Sequence, residues 1–155
     1  MSPHHALMIV DVQKAFEPPA AFVKKLEQYS RRFSRRVYTR FINPKDSLFR
    51  TVLKQRSCLP GSEDTELIIP PQRGDIVIDK TGYGLTAAHI RRLKQKRITR
   101  VTVCGLDTDA CVLGVMFSLF DAGIRCYLKE AHCWSSSGLH KPALAIIREQ
   151  FPEIR

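Results

Sequence analysis

The most constraining feature of the sequence is a continuously apolar run near its beginning, Ala6 to Val12, which is interrupted only by Asp11. A strand that is apolar at successive positions, and not only at alternate ones, is typical of the centre of a parallel sheet, where both faces are covered. Parallel strands need crossover connections, which are usually helices. The run therefore predicts an α/β fold with this strand in the interior.

The rest of the chain alternates further predicted strands with predicted helices. The strands are Val37 to Ile42, Asp75 to Asp79, Arg100 to Cys104, and Ile124 to Leu128. The helices are Ala20 to Ser30, a short one from Ser47 to Lys54, one capped by Thr86 and ending near Lys96, Ala110 to Ala122, and a last one that begins at Pro142. This alternation predicts a single domain over residues 1–155 with right-handed crossovers. The long irregular stretch 55–74, with an extended piece at Leu67 to Ile69, is a candidate active-site wall.

Composition and cysteine usage narrow the class of protein. A length of 155 residues with 44% hydrophobic and 26% charged residues is ordinary for one globular domain. The five cysteines are odd in number and lack zinc-type CxxC spacing, which indicates free thiols in a reducing compartment. The first apolar run is too short for a signal core or a membrane span. We therefore expect a cytoplasmic protein without a targeting segment.

The formal net charge of +10 raises the possibility of a nucleic-acid or anionic-membrane partner. The basic residues form two clusters, Arg31 to Arg36 and Arg91 to Arg97. Neither cluster carries a recognised nucleic-acid-binding motif, and the second lies on the outer face of a predicted amphipathic helix. Solvated faces explain both clusters better, so we expect no nucleic-acid and no membrane partner.

Three chemically reactive residues follow three different predicted strands: Asp11, Lys80 and Cys111. Taken singly, each fits a structural role, as a buried acceptor, a strand terminator and a small buried residue. Together they fall where open α/β sheets bind their ligands, at the carboxyl ends of the strands. A thiolate, a carboxylate and a cation form a workable acyl-transfer set.

Cys111 is predicted to lie in the first turn of the apolar helix that follows the fourth strand. Thr108 and Asp109 are its N-cap candidates. The free N–H groups and the helix dipole at such a position favour an anion, so we expect a lowered thiol pKa.

Three motifs accompany these residues: Asp11-Val12-Gln13 with Phe16, Asp79-Lys80 with Tyr83-Gly84, and the stretch Gly105 to Val112. With this ordered set the chain resembles the isochorismatase-like cysteine hydrolases, a superfamily that includes nicotinamidases and N-carbamoyl amidohydrolases. The resemblance covers nearly the whole chain. It implies a three-layer α/β/α sandwich around a parallel, Rossmann-like sheet of strand order 3-2-1-4-5. Relatives commonly add a sixth strand after the last helix, whereas this chain ends at Arg155.

The resemblance also implies roles for individual residues. Asp11, Lys80 and Cys111 would form a catalytic triad, in which Cys111 attacks a carbonyl carbon to give a thioester. Asp11 would move the protons, and Lys80 would lower the cost of placing a carboxylate beside a thiolate. The N–H groups of Ala110 and Cys111 would form the oxyanion hole. The family's cis peptide maps to Leu106–Asp107.

The resemblance narrows the reaction class as well. Members that hydrolyse the vinyl ether of isochorismate lack the cysteine, so Cys111 argues for hydrolysis of a C–N bond in an amide, carbamoyl or ureido group. Nicotinamidases carry an Asp-x-His metal motif after the second strand, where this chain reads Thr39-Arg40-Phe41-Ile42-Asn43. We therefore expect no metal and no other cofactor, and nicotinamide is not the expected substrate.

Pocket residues are predicted only from their closeness in sequence to the triad. The candidates are Phe16, Phe41, Asn43, Tyr83 and Leu106. Apolar packing explains the aromatic ones equally well. Arg40 could meet a substrate carboxylate, although an outward-pointing arginine is the simpler interpretation. Trp134 is placed in a loop after the fifth strand.

The sequence thus predicts a metal-free cysteine hydrolase of a small amide-like substrate. A homo-oligomer, a dimer or a tetramer, is expected through the apolar surface of the helix at 110–122. The alternative is a noncatalytic interaction protein of the same fold that binds an acidic partner through its basic surface. A thiol redox protein is disfavoured because Cys111 has no CxxC partner.

Overall fold

A computed structural model describes residues 2–152, and its centre is a parallel sheet in the order β3-β2-β1-β4-β5. The strands are β1 (His5–Val10), β2 (Arg36–Phe41), β3 (Ile76–Lys80), β4 (Arg100–Leu106) and β5 (Arg125–Trp134). Helices flank the sheet, so the predicted three-layer α/β/α fold and strand order are confirmed. The described part of the chain contains no sixth strand, and residues 153–155 lie outside it.

The helices follow the predicted alternation. They are α1 (Ala20–Ser30), α2 (Leu48–Thr51), α3 (Ala87–Gln95), α4 (Leu113–Asp121) and α5 (His140–Gln150). Shorter helical segments occur at Lys14–Phe16, at Glu63–Thr65 and, as a π-helical turn, at Thr108–Val112. Thr86 caps α3 as predicted, since its hydroxyl accepts a hydrogen bond from the N–H of His89.

The first strand can occupy the centre of the sheet because the side chains of residues 6–10 are all apolar and need no contact with water. β1 pairs with β2 on one side and with β4 on the other. Residues 6–10 are all fully buried. At about 25 cal/mol per Å² of apolar surface, such burial is the main term that stabilises the sheet. The carboxyl ends of β1, β3 and β4 therefore meet at one edge, and this edge positions the residues described below.

The fourth and fifth strands are longer than the sequence predicts. β4 continues through Gly105 to Leu106. The φ of Gly105 is +117°, a backbone conformation that glycine adopts readily. A Cβ on Gly105 would lie 2.3 Å from the carbonyl oxygen of Val10. The glycine therefore lets β4 approach β1 closely instead of ending the strand. The register between β4 and β5 shifts at this point, and Trp134 pairs with Leu106 as part of β5 rather than lying in a loop.

Replacing Gly105 with alanine is expected to destabilise the fold by about 3 kcal/mol, because the new Cβ overlaps the β1 backbone and the residue must keep a positive φ. Gly138→Ala is the matched control, since no atom lies within 4 Å of its added Cβ. The control should change the free energy of unfolding by no more than about 0.5 kcal/mol. Urea unfolding of both variants measures the difference. Equal midpoints for Gly105→Ala and wild type would contradict the close approach.

Many of the basic residues have structural partners. Arg35 donates to the carbonyl oxygens of Pro3 and Lys96 at 2.6 and 2.7 Å, and Arg36 pairs with Asp75 at 3.1 Å. These contacts favour a structural role for part of the basic surface.

Within residues 2–152, every helix is too short or too polar to serve as a membrane span.

Candidate active site

The structure brings Asp11, Lys80 and Cys111 together at the carboxyl edge of the sheet. Asp11 directly follows β1 and is fully buried, and Lys80 is the last residue of β3 and 1% exposed. Its Nζ lies 2.8 Å from Oδ2 of Asp11 and 2.8 Å from the carbonyl oxygen of Gly82. Lys80 and Cys111 are close enough for each to shift the pKa of the other. One buried ammonium group therefore lies beside a carboxylate and a thiol.

Thr39 fixes the orientation of the Asp11 carboxylate. The Thr39 hydroxyl donates to Oδ1 of Asp11 at 2.6 Å and accepts from the Asp11 backbone N–H at 3.2 Å. Asp11 itself has a φ of +49°, which turns the chain out of the strand. Oδ1 is thereby held by a hydroxyl, while Oδ2 faces Lys80. Thr39 was not among the predicted site residues, because its placement depends on the register that sets it beside Val10.

Gln13 ties this corner to the pocket wall. Its buried amide accepts from the N–H of Phe41 at 2.7 Å and donates to the carbonyl oxygens of Phe41 and Thr65 at 2.9 and 3.0 Å. Two segments distant in sequence, the end of β2 and the loop around Thr65, are therefore held against the residues that follow β1.

The electrostatics of Cys111 differ from the prediction. Burial and the neighbouring Asp11 carboxylate raise the pKa of the Cys111 thiol, and Lys80 only partly opposes them. The predicted lowering was wrong because it considered the helix terminus alone. In addition, Thr108 and Asp109 are not N-caps: Asp107 takes that position, without a side-chain capping bond. The resting thiol is therefore protonated, and a base must remove its proton before it attacks.

Lys80 stays charged in this environment. Burial disfavours the ammonium form, but the Asp11 carboxylate and the Cys111 sulfur more than offset this and raise the pKa of Lys80. A fixed positive charge thus remains beside both reactive groups.

The loop that carries Cys111 begins with a cis peptide bond between Leu106 and Asp107, at the position implied by the resemblance. The Asp107 carbonyl oxygen accepts hydrogen bonds from the N–H groups of Ala110 and Val112, each at 3.1 Å. The Ala110 N–H assigned to the oxyanion hole is therefore already engaged and would have to be shared with a substrate. Within the described residues, the Cys111 N–H meets no backbone acceptor outside its own turn, so no such bond competes with a substrate for it.

Three consecutive serines at the end of β5, Ser135–Ser137, hold this loop, and we call them the serine clamp. The first and third hydroxyls donate to the Asp109 carboxylate at 2.6 and 2.9 Å, and the middle hydroxyl donates to Asp107 at 2.8 Å. Burial disfavours charge on Asp109, but the clamp hydroxyls outweigh it and lower the pKa of Asp109. The clamp was not predicted, since the sequence indicated only a loop there.

Ser135→Ala is expected to reduce kcat about tenfold with a smaller change in KM. The hydroxyl also accepts from the Thr108 N–H at 2.9 Å, so its loss frees two anchors of the Cys111 loop, each worth about 1 kcal/mol. Ser34→Ala, at an exposed position before β2, is the control. A kcat for Ser135→Ala equal to that of the control would show that the clamp does not position the nucleophile.

A cavity of about 160 Å³ opens beside the three reactive residues. Its lining is mainly aromatic and apolar: Asp11, Phe16, Phe41, Phe49, Gln55, Tyr83, Leu106, Asp107, Ala110 and Cys111. Four of the five predicted pocket residues therefore line it. Phe49 and Gln55 were missed because they are not close to the triad in sequence. A larger cavity of about 390 Å³, beside α4 and β5, includes none of the three reactive residues.

The prediction for Asn43 was wrong. Asn43 is fully buried, its amide donates to the carbonyl oxygens of Gln55 and Ser57 at 3.2 and 3.1 Å, and its Oδ1 accepts from Ser47. All of its hydrogen-bonding capacity thus holds the loop that follows β2. It supports the cavity wall from behind instead of facing the cavity.

Tyr83 reaches the cavity because glycine lies beneath it. Gly114 of α4 packs against the Tyr83 backbone, and a Cβ on Gly114 would lie 2.9 Å from the Cβ of Tyr83. The motif residue Gly84 is equally close to α4, since its own Cβ would lie 2.4 Å from the Ser118 hydroxyl.

The donor set around the site does not fit a metal ion. β2 ends at Phe41, whose ring lies 5.5 Å from Lys80 Nζ. Asn43 follows the strand, and its side-chain amide is engaged in hydrogen bonds to the loop. Across residues 2–152, no three His, Cys, Asp or Glu side chains are grouped so that they could hold a metal ion.

Several solved structures share this fold. A pyrazinamidase of Pyrococcus horikoshii in complex with zinc has a TM-score of 0.86 and 22% identity, over 96% of this chain and 97% of that one. A nicotinamidase from Bacillus subtilis has a TM-score of 0.80 and 20% identity, over 96% and 97% of the two chains. An N-carbamoylsarcosine amidase from Thermoplasma acidophilum has a TM-score of 0.78 and 22% identity, over 96% and 92%.

At these identities the structures show a common fold, and the assignment to a family comes from the sequence. The sequence model of a protein family, the isochorismatase domain, matches residues 5–154 of this chain. The chain therefore belongs to the isochorismatase family.

Proposed function

We propose that the protein is a cysteine-dependent hydrolase that cleaves the C–N bond of a small amide, carbamoyl or ureido substrate through a thioester, without a metal ion. The observation that carries this proposal is that the buried Lys80–Asp11 ion pair lies at a cavity that Asp11 and Cys111 both line. The structural relatives named as amidases support the reaction class.

In the acylation step, Asp11 accepts the thiol proton as Cys111 attacks the carbonyl carbon. The raised thiol pKa makes this transfer necessary, and Lys80 offsets the negative charge on the sulfur. The carbonyl electron pair moves to oxygen, for which the Cys111 N–H and the shared Ala110 N–H are the two candidate donors. As the intermediate collapses, the C–N bond breaks, and the proton on Asp11 passes to the leaving nitrogen.

In the deacylation step, water replaces the amine. Asp11, again ionised, accepts a proton from water as its oxygen attacks the thioester carbon. The C–S bond breaks, and the sulfur takes back the proton from Asp11. The products are a carboxylic or carbamic acid and ammonia or an amine, so the triad ends in its starting state.

The proposal that no metal takes part rests on the donor set. Phe41 and Asn43 provide no free ligand atom after β2, and the described residues offer no grouping of three ligands. Polarisation of the carbonyl group then depends on backbone N–H donors and Lys80.

An ammonia-release screen across small amides, ureas and carbamoyl amino acids tests the proposal, with Cys111→Ala as the blank. We expect release that depends on Cys111 and persists after dialysis against a chelator. Release at equal rates from wild type and Cys111→Ala, or none across the screen, would contradict it.

The noncatalytic alternative has less support, because the three reactive groups are brought together at an open cavity and several arginines serve the fold.

Cytoplasmic location and the absence of nucleic-acid and membrane partners stay predictions. A homo-oligomer also stays a prediction, which the exposure of Phe117 and Phe120 on α4 supports at 39% and 57%.

A further inference from the structure

The cavity beside Cys111 provides no positive charge for a substrate. Among the described residues, those that line it include two carboxylates, Asp11 and Asp107, and no Arg, Lys or His. The Asp107 carboxylate accepts two hydrogen bonds from Ser136, at 3.0 Å from its N–H and 2.8 Å from its hydroxyl. Both donors belong to an uncharged serine, so neither bond brings a positive charge that would neutralise a substrate carboxylate.

Lys80 and Arg40, the two cations that the sequence places at the ends of β3 and β2, have other partners. Lys80 is not part of the cavity lining, and its Nζ is bonded to the Asp11 carboxylate and to the carbonyl oxygen of Gly82. Arg40, the one arginine at the end of β2, forms a two-pronged ion pair with Asp79 at 2.7 and 2.9 Å and does not line the cavity. Neither can bind a substrate carboxylate without giving up an ion pair.

The rest of the lining favours a flat, apolar group. Phe41, Phe49 and Tyr83 form a chain of aromatic contacts, with ring centroids 4.8 Å apart in each successive pair. Gln55 supplies a neutral polar group whose amide also donates to the Ser57 hydroxyl at 3.2 Å. An unpaired carboxylate placed here would lose its hydration beside a lining that contains two acidic residues and no basic one, which is strongly unfavourable.

From this charge distribution we infer that the substrate is an uncharged amide with a small, flat, apolar group, and not an amide that carries a carboxylate, such as an N-carbamoyl amino acid. The inference rests on the proposed function. It also predicts that a cation introduced at Gln55 would admit a carboxylate.

A matched pair of substrates tests the inference: 4-acetylbenzamide and 4-carbamoylbenzoate, which have nearly the same shape and differ in one negative charge. Rates are normalised to the alkaline hydrolysis of each compound, which removes the difference in intrinsic reactivity. For the wild-type enzyme we expect kcat/KM to be at least about 100-fold higher for the neutral member. Gln55→Arg should reduce this ratio at least about tenfold, whereas Gln55→Met, of similar length and without charge, should leave it unchanged.

The outcomes separate the inference from the function it rests on. Cys111-dependent turnover with a ratio near one, or in favour of the carboxylate, would overturn the inference alone. An unchanged ratio in Gln55→Arg, or an equal reduction in Gln55→Met, would overturn the electrostatic explanation. If neither compound nor any member of the wider amide screen released ammonia in a Cys111-dependent way, the proposed function would fail, and the inference with it.

Discussion

Replacing Cys111 with alanine is expected to lower kcat/KM for amide hydrolysis by at least about 10⁴-fold, because no other thiol lines the cavity in the described residues. The melting temperature should change by only a few degrees, since Cys111 is not fully buried and alanine fits its turn. Activity and thermal unfolding are measured on the same preparation.

Cys126→Ser is the matched control for the thiol. Cys126 lies on β5, away from the cavity, and its sulfur contacts only the Met116 carbonyl oxygen at 3.6 Å among its recorded hydrogen-bond partners. This variant should keep wild-type kcat/KM within about threefold, because it touches neither the nucleophile nor its base. Full activity in Cys111→Ala, or an equal loss in Cys126→Ser, would rule out Cys111 as the nucleophile.

Lys80→Met is expected to abolish turnover and to reduce the free energy of unfolding by about 3 to 5 kcal/mol. The substitution leaves the buried Asp11 carboxylate without its counter-ion, and breaking a buried pair from one side costs about this much. Because Lys80 opposes the raised pKa of Cys111, its removal raises that pKa further. Urea unfolding and ammonia release measure the two effects.

Two further variants make the Lys80 result specific. Asp11→Asn combined with Lys80→Met removes both charges and should recover most of the lost stability but no activity. Arg40→Met breaks the exposed pair with Asp79 and should cost no more than about 1 kcal/mol. If Lys80→Met were as stable as wild type, or if Arg40→Met lost as much stability as Lys80→Met, the buried Lys80–Asp11 pair would not be a main source of stability.

The parts of the fold that follow from local patterns were predictable. The uninterrupted apolar run of β1 required cover on both faces, and the strand–helix alternation then led to the parallel sheet. The positions of Asp11, Lys80 and Cys111 after three strands followed from the same pattern, because parallel strands place their carboxyl ends on one edge.

What depended on pairing between distant segments was not predictable. The fourth strand was predicted to end at Cys104, whereas the missing side chain of Gly105 lets β4 approach β1 and continue. Thr39 and the serine clamp act through the registers of β2 and β5, which no local pattern encodes. Asn43 looked like a pocket residue because it is near the triad in sequence, while its hydrogen bonds turn it into the loop.

The direction of the Cys111 pKa shift was also not predictable from local sequence patterns. A helix terminus is visible in the sequence and lowers a thiol pKa, whereas burial beside a carboxylate is visible only in three dimensions and raises it. The balance between them changes the chemical account from a preformed thiolate to a thiol that gives its proton to Asp11 during attack.

The most direct test of the thioester is the partition of the reaction between water and hydroxylamine. A primary amide and its N-methylamide share one acyl group and differ only in the amine that leaves. If Cys111 carries the acyl group in both reactions, the ratio of hydroxamate to acid at a fixed hydroxylamine concentration is the same for the two substrates. A ratio that changes with the leaving amine would mean that no common acyl-enzyme forms, which would contradict the mechanism proposed for this site.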